Sequence, residues 1–322
     1  MKIKWMLGMG AGAAALLAAG EYALARYFLR RTLTRGKADN KRTQKMAGTD
    51  WSVYLPFMEE NRQWFLSQPH EDVYIQSEDG LKLHGTYFPG KDPKRAVICF
   101  HGYTSRGLND YPSLARFYMG CGLGVLTVDE RAHGDSEGTY IGFGCLDRLD
   151  AKKWMEYMAG RLGEDCEILL QGISMGAATV DMAVGLELPP QVKGAVSDCA
   201  FTSAKEVFTS VLKTTYHMPA FPLMDLSDRM AKKEAGYGLD ECNARDEVKK
   251  AKIPMLFIHG SKDTFVPCSM VHELYEACAA PKDLLIIEGA SHAEAYYKDR
   301  PAYEAAVRKL MERAFTKGVC EE

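Results

Sequence analysis

The chain has 322 residues, 47% of them hydrophobic, and a formal net charge of −3 at pH 7. A chain of this size can bury one large core or two modest ones. Because the net charge is close to zero, nothing in the composition indicates nucleic acid as a partner. The nine cysteines include no C-x-x-C pair and no metal-ligand spacing, so we predict free thiols and a reducing compartment rather than a disulfide framework.

Residues 1–31 differ in composition from the rest of the chain. Two lysines precede the uncharged run 5–20, and arginines beginning at Arg26 follow it. The run is short for the ~20 apolar residues that cross a bilayer, although aromatic residues up to Phe28 can extend it into the interface. We predict an uncleaved membrane anchor for this segment.

More Lys and Arg follow the uncharged run than precede it, which places the following domain on the cytoplasmic side. Two alternatives stay open. The segment is also compatible with a signal peptide that is cleaved near 18–20 or 23–25 and releases a secreted protein. An amphipathic helix that lies on the protein or on the membrane is the other alternative.

The polar, basic residues 32–50 indicate a linker, and we predict one domain over residues 51–322. Aromatic residues between 51 and 65 are typical of a helix or helical turn packed on that domain. Two runs then flank a short turn at 78–80. The alternation of apolar and polar residues in these runs predicts an antiparallel hairpin.

Apolar runs alternate with helical segments after the hairpin. Runs without internal alternation, separated by helices, predict a mostly parallel sheet with helices on both faces. The predicted strands are 96–100, 124–128, 168–171, 193–197, 254–258 and 283–287, and the predicted helices are 111–119, 145–159, 177–184 and 301–315.

An insertion at about 201–243 interrupts this alternation. It is rich in Phe and Met and is punctuated by Pro219 and Pro222. Because it follows a strand end, where active-site loops of such sheets lie, we predict a small helical cap whose apolar face lines an acyl or alkyl pocket. A helical excursion that only completes the core is the alternative.

The strand 168–171 runs into the pentapeptide Gly172-Ile173-Ser174-Met175-Gly176, which a helix follows. A serine on such a bend exposes its hydroxyl above the sheet edge, and the glycines remove Cβ atoms that would clash where strand and helix pass. The helix N-terminus behind the serine presents N–H groups to developing negative charge. We predict Ser174 as a nucleophile.

A serine nucleophile needs a base, which a third group must orient. His292 lies in the loop 288–294 after the last predicted strand, and it is the candidate base. Asp263 follows the strand 254–258 at the same sheet edge, and it is the candidate acid. Asp198, which ends the preceding strand, is the competing candidate.

Two backbone N–H groups are needed to stabilise an oxyanion. We predict the N–H of Met175, directly after the nucleophile, as the first. We predict the N–H of Tyr103 as the second, because it follows Gly102 in the loop after the strand 96–100. The alternative for His101-Gly102 is a tight turn with no role in binding.

Together these motifs resemble the α/β-hydrolase superfamily over roughly residues 70–316. The order Ser174, Asp263, His292 matches the nucleophile, acid and base of that family. The resemblance implies an α/β-hydrolase fold, a twisted, mostly parallel sheet with helices on both faces and a small cap. It also implies that the segment 129–136 is mainly a structural loop. With its N-terminal segment, the chain is similar to bacterial membrane-anchored members of the family.

The predicted function is that of a serine hydrolase, of carboxylesterase or lipase type. It would cleave a small-molecule ester with a small or medium apolar acyl group, through an acyl-enzyme intermediate. A peptidase, amidase or thioesterase using the same three residues is the alternative, and a non-catalytic binding module is a further one. We predict no cofactor and no metal site, and the sequence does not indicate an oligomeric state.

Overall fold

The computed structural model describes residues 2–35 and 48–316, and the side chains from residue 19 onward together with that of Leu16. The predicted linker at 32–50 therefore lies mostly outside the described residues. The predicted boundaries of the anchor, the linker and the domain stay predictions.

Eight strands form one sheet in the order β1-β2-β4-β3-β5-β6-β7-β8. Strand β2 is antiparallel to both of its neighbours, and the remaining pairs are parallel. The predicted hairpin and the predicted, mostly parallel sheet are thus confirmed. The strands are β1 Glu71–Gln76, β2 Lys82–Phe88, β3 Arg95–Phe100, β4 Gly124–Val128, β5 Glu167–Ile173, β6 Val192–Asp198, β7 Met255–Gly260 and β8 Lys282–Ile287.

The described residues contain twelve α-helices, which cover both faces of the sheet. They are α1 Lys2–Leu33, α2 Leu55–Leu66, α3 Gly107–Asp110, α4 Pro112–Gly120, α5 Asp147–Leu162, α6 Met175–Ala183, α7 Ala204–Thr214, α8 Leu223–Glu234, α9 Ala244–Glu247, α10 Ser269–Ala277, α11 Ala295–Lys298 and α12 Arg300–Ala314.

Strand β3 shows why both faces must be covered. All six of its residues are buried. Ile98 and Phe100 belong to the core on the side of α5 and α6, whereas Val97 and Cys99 belong to the core on the side of α2, α4 and α12. Successive side chains of a strand point to opposite faces, so an uninterrupted apolar run becomes a strand between two layers of helices.

The C-terminal part of α1 packs on the domain. Ala25, Leu29 and Leu33 recur at intervals of four residues, the spacing of one helix face, and all three are buried. Among the residues that the structure describes, no helix is long and apolar enough to cross a membrane. The membrane anchor predicted for residues 1–31 and its cytoplasmic orientation stay predictions.

The insertion predicted at about 201–243 holds α7 and α8. Each of these helices has an apolar side that is buried, for example Phe208 on α7 and Met230 on α8. Helix α1 lies against α8, and the Phe28 and Phe208 rings meet edge to face with centroids 5.6 Å apart. The cap therefore packs against the N-terminal helix.

Helix α6 carries a buried carboxyl group, that of Asp181. One carboxyl oxygen lies 2.8 Å from the Ser197 hydroxyl, and the other has no hydrogen-bond partner among the described residues. Burial raises the pKa of Asp181 to about 8, although the bond from Ser197 opposes the shift. In the unfolded chain an Asp has a pKa of about 3.9. Between about pH 4 and pH 8, Asp181 is therefore protonated in the folded state and ionised in the unfolded state.

Asp181→Asn is therefore expected to stabilise the protein increasingly as the pH rises from about 4 to 8. In this interval the wild-type free energy of unfolding falls with pH, by at most about 1.4 kcal/mol per pH unit for this group. We expect the variant to exceed wild type by about 2–5 kcal/mol at pH 8 and by little at pH 4. Urea denaturation at several pH values measures this, with exposed Asp165→Asn as the control, and a pH-independent difference would contradict it.

Candidate active site

Ser174 connects β5 to α6 in a strained conformation. Its φ of 56° and ψ of −114° lie in a region that non-glycine residues rarely adopt. Its backbone N–H donates to the Asp198 carbonyl at 2.8 Å, which fixes the bend to the neighbouring strand. The hydroxyl consequently projects from the carboxyl end of β5.

The two glycines of the pentapeptide lie where backbone segments nearly touch. A Cβ atom at Gly176 would collide with the carbonyl oxygen of Phe100, and one at Gly172 would collide with the backbone of α6. The structure thus agrees with the physical reason predicted for both glycines, a close passage of strand and helix.

His292 bridges Ser174 and Asp263. The Ser174 hydroxyl lies 2.8 Å from His292 Nε2, and His292 Nδ1 lies 2.7 Å from Asp263 Oδ2. Because an ionised carboxylate only accepts hydrogen bonds, Nδ1 carries a proton and donates it. In the neutral ring Nε2 then accepts from the serine hydroxyl. The structure therefore brings together all three residues predicted from the sequence.

Asp263 is held as an anion. Burial raises its pKa, but the nearby His292 and hydrogen bonds from His259 and His292 outweigh burial and hold the pKa well below its usual range. Its Oδ1 accepts the N–H groups of Phe265 and Val266, each at 2.9 Å. An anion at this position stabilises the imidazolium that forms when the base takes a proton.

His259, on β7, lies beneath Asp263. Its Nε2 is 2.9 Å from the Val266 carbonyl oxygen and 3.2 Å from Asp263 Oδ2, so Nε2 carries the proton that both oxygens share. This residue therefore positions the carboxylate rather than the serine.

Asp198, the competing candidate acid, is hydrogen-bonded to Tyr303 and not to His292. Its carboxylate accepts from the Tyr303 hydroxyl at 3.0 Å, and its pKa is raised to about 6, because burial outweighs that hydrogen bond. No hydrogen bond joins the Asp198 side chain to His292 among the described residues. Its backbone carbonyl, not its carboxylate, serves the bend at Ser174.

The loop after β3 is held by Asp110. The carboxylate accepts the Gly102 N–H at 2.9 Å and the Ser105 hydroxyl. Tyr103 lies between these two anchors and lines a cavity together with Ser174 and Met175. Met175 is the first residue of α6, and the first N–H groups of a helix have no acceptor within it. The two residues predicted to supply oxyanion N–H groups thus flank the same space.

Two buried histidines, His101 and His133, connect the loop after β3 to the segment 129–136. Burial lowers the pKa of His133 to about 3, and its neutral ring accepts the Thr104 N–H at Nε2, at 3.2 Å. His101 Nε2 accepts the Glu130 N–H at 3.0 Å. Arg131 instead pairs with Asp150 at 2.6 Å. The segment 129–136 therefore supports the loop, as the resemblance implied.

The loop that carries His292 is tied to the chain before the first strand. Glu294 accepts the Ser291 N–H and the Tyr54 hydroxyl, each at 2.7 Å, and the Thr49 hydroxyl donates to the His292 carbonyl at 3.1 Å. The sequence predicted that Tyr54 packs on the domain, but it indicated no role for Tyr54, Thr49 or Glu294 in supporting the site. Only the acidic residue close to His292 offered a signal, since the other two precede it by more than two hundred positions.

Comparisons with known proteins agree with this architecture. A family model described as "Serine aminopeptidase, S33" matches residues 91–234. Bacillus subtilis YqkD is 29% identical over 238 residues, covering 74% of this chain and 78% of YqkD. Xenopus tropicalis alpha/beta hydrolase domain-containing protein 17B is 26% identical over 257 residues, covering 76% of this chain and 77% of that protein.

The Pyrococcus furiosus esterase Pf2001 superposes with a TM-score of 0.62 at 23% identity, covering 77% of this chain and 92% of that one. The chain has the α/β-hydrolase fold, and it is similar to members of the α/β-hydrolase superfamily. These matches support a serine hydrolase in general.

Two cavities meet at Ser174. The apolar cavity, about 370 Å³, lies between α1, the cap and Ser174. The second, about 330 Å³, is more polar, and we call it the histidine-side cavity because His292 lines it and does not line the other. Its further lining includes Trp51, Met58, Arg62, Asn109 and Tyr297.

Among the described residues, two groups of side chains have donor atoms close enough to be considered as metal ligands. In the first group Asp263 and His292 already bond each other. In the second, the Arg106 guanidinium lies 3.1 Å from one carboxylate and 2.5 Å from the other, and supplies the positive charge that a metal would bring. We assign a metal to neither group. The groups are Cys199, Asp263, His292 and His84, Asp129, Asp135.

Proposed function

We propose that this protein is a serine hydrolase that cleaves carboxylic esters with an apolar acyl group of small or medium size. The observation that carries the proposal is the hydrogen-bonded series from the Ser174 hydroxyl through His292 to Asp263, at 2.8 and 2.7 Å. Such a series activates a hydroxyl that is otherwise a weak nucleophile.

In the first half of the proposed reaction, His292 Nε2 takes the Ser174 proton as the oxygen bonds to the ester carbonyl carbon. The carbonyl oxygen becomes an oxyanion, which the N–H groups of Met175 and Tyr103 stabilise. The intermediate then collapses, and the protonated Nε2 gives its proton to the departing alcohol oxygen. Asp263 stays ionised throughout and stabilises the imidazolium. An acyl-enzyme ester on Ser174 remains.

In the second half, Nε2 removes a proton from water as the water oxygen attacks the acyl-enzyme carbonyl carbon. The same N–H groups stabilise the second oxyanion. Collapse breaks the bond to Ser174, which regains a proton from Nε2, and the carboxylic acid leaves. The enzyme returns to its starting protonation state.

The two cavities support an assignment of the two parts of the ester. His292 must protonate the departing alcohol, so the alcohol belongs in the histidine-side cavity. The acyl group then belongs on the other side of Ser174, in the apolar cavity, which Phe143, Phe201 and Leu212 help to line. Its volume of about 370 Å³ falls in the usual range for small-molecule sites, roughly 300–1,000 Å³.

The experiment is labelling of the folded protein with a fluorophosphonate, followed by a p-nitrophenyl ester panel from acetate to decanoate. We expect one phosphonyl adduct, mapped to Ser174 by mass spectrometry, and turnover that rises with acyl length before it declines. Folded protein without an adduct at Ser174, or with no turnover of any ester, would contradict the proposal.

A peptidase or amidase is the second candidate, favoured by the description of the family model that matches residues 91–234. The same three residues would serve, with His292 protonating an amine instead of an alcohol. Matched ester and anilide substrates that share one acyl group separate the two candidates. A kcat/KM for the anilide equal to or above that for the ester would favour the peptidase.

A further inference from the structure

Helix α1 presents two apolar stripes to different surroundings. Ala25, Leu29 and Leu33 form the buried stripe. Leu24 and Phe28, four residues apart on another side of the helix, line the apolar cavity together with Ser174. The N-terminal helix is therefore part of the wall of the cavity that also contains the nucleophile.

The end of α1 is fixed to the catalytic domain by backbone groups. The Ile141 N–H donates to the Leu33 carbonyl at 2.7 Å, and the Arg35 N–H donates to the Thr139 carbonyl at 2.8 Å. The Tyr103 hydroxyl donates to the Thr32 carbonyl at 2.9 Å. Tyr103 is the residue proposed to supply an oxyanion N–H, so its loop holds the helix directly.

A row of four aromatic rings leads from that loop to α1. Tyr103 and Phe143 have centroids 5.2 Å apart, Phe143 and Phe208 are 4.8 Å apart, and Phe208 and Phe28 are 5.6 Å apart. All four residues line the apolar cavity. Tyr103, in the loop after β3, is the first ring of this row, and Phe28 is the last.

We propose that α1 is a substrate-binding element in which Phe28 sets the preferred length of the acyl chain. The inference rests on the proposed ester hydrolysis and identifies its substrate as an ester of a linear, medium-length fatty acid. A short acyl group, such as acetyl, stays near Ser174 and does not reach Phe28. A chain that follows the row of rings ends against Phe28 and gains apolar contact there.

A kinetic comparison in the full-length chain tests the proposal. Phe28→Ala is expected to lower the ratio of kcat/KM for p-nitrophenyl decanoate to that for the acetate by about tenfold, mainly through KM for the decanoate. Tyr22→Ala is the matched control, because Tyr22 is an exposed aromatic residue of the same helix that does not line the cavity. An unchanged ratio in Phe28→Ala, or an equal change in the control, would overturn the proposal.

A photoreactive probe tests the proposal without a substitution that affects folding. The probe is a fluorophosphonate whose alkyl chain, bound through a P–C bond, ends in a diazirine. Ser174 forms the P–O bond, fluoride leaves, and the serine proton passes to His292. Irradiation then expels N2, and the carbene inserts into its nearest neighbour.

We expect a ten-carbon probe to insert within residues 24–32 of α1, and a three-carbon probe to insert elsewhere. If neither probe forms an adduct at Ser174, the proposed function fails. If both form the adduct and the long probe inserts only outside α1, the proposed function stands and this inference fails.

Discussion

Replacing Ser174 by alanine is expected to lower kcat for ester hydrolysis by at least about 10⁴-fold and to abolish fluorophosphonate labelling. Without the hydroxyl there is no atom from which His292 can take a proton and none to carry the acyl group. Loss of the serine from a triad of this kind costs up to about 10⁶-fold in kcat. Oxyanion stabilisation and substrate binding leave a residual rate above that in water. Initial rates on the best ester of the panel measure the loss.

Ser227→Ala is the matched control for this substitution. Ser227 is another buried serine, on α8, and its hydroxyl has no hydrogen-bond partner among the described residues. Its removal is expected to leave kcat within about twofold, because Ser227 lines neither of the two cavities at Ser174. Circular dichroism and Tm establish that both variants fold. If the Ser174 variant folds and keeps wild-type turnover, the site does not hydrolyse esters, and a binding function becomes the better account.

The strands and the bend at Ser174 could be predicted because their signals are local. Val97, Ile98 and Cys99 point alternately to the two faces of the sheet, and all three are apolar. This pattern is typical of a strand that helices cover on both faces. Likewise, Gly172 and Gly176 bracket a serine between an apolar run and a helical run. Each of these patterns lies within a short window and needs no knowledge of the remainder of the chain.

The support of the site could not be predicted, because it depends on contacts between distant segments. Asp110 lies in an ordinary helical segment, and only folding brings its carboxylate to the Gly102 N–H. Tyr54 and Glu294 are hydrogen-bonded although they lie 240 positions apart in the sequence. The uncharged run 5–20 predicted a membrane anchor for α1. The repeat of Leu29 and Leu33 can be recognised as a buried face only when the folded domain is known.

The sequence favours Asp263 over Asp198 as the acid, and the fold gives the physical reason for that choice. Asp198 and Asp263 both follow parallel strands that end at the same edge of the sheet, so the chain order alone leaves each of them open. Strand β7 lies beside β8, and the loop with His292 follows β8. The loop after β7 is therefore nearer to that histidine than the end of β6 is.

Asp263→Asn is the substitution that tests this choice, and it is expected to lower kcat by about 10⁴-fold with the fold intact. An amide can donate to His292 Nδ1, which would leave the proton on Nε2 facing the serine hydroxyl. The ring then cannot accept the serine proton, and the amide offers no charge to stabilise an imidazolium. Because the pKa of Asp263 is held well below its usual range, the wild-type carboxylate stays ionised at any assay pH near neutrality.

Asp198→Asn is the matched control, since it removes a buried carboxyl group that bonds Tyr303 and not His292. We expect it to change kcat by less than about tenfold, because the backbone carbonyl of residue 198 still accepts the Ser174 N–H. A typical substitution changes the free energy of unfolding by only about 1 kcal/mol, so the fold should persist. The two variants should also differ in labelling, with the fluorophosphonate rate falling steeply for Asp263→Asn alone. The reverse pattern, in which the Asp198 variant is the inactive one, would make Asp198 the acid and require the His292 ring to turn towards β6 during the reaction.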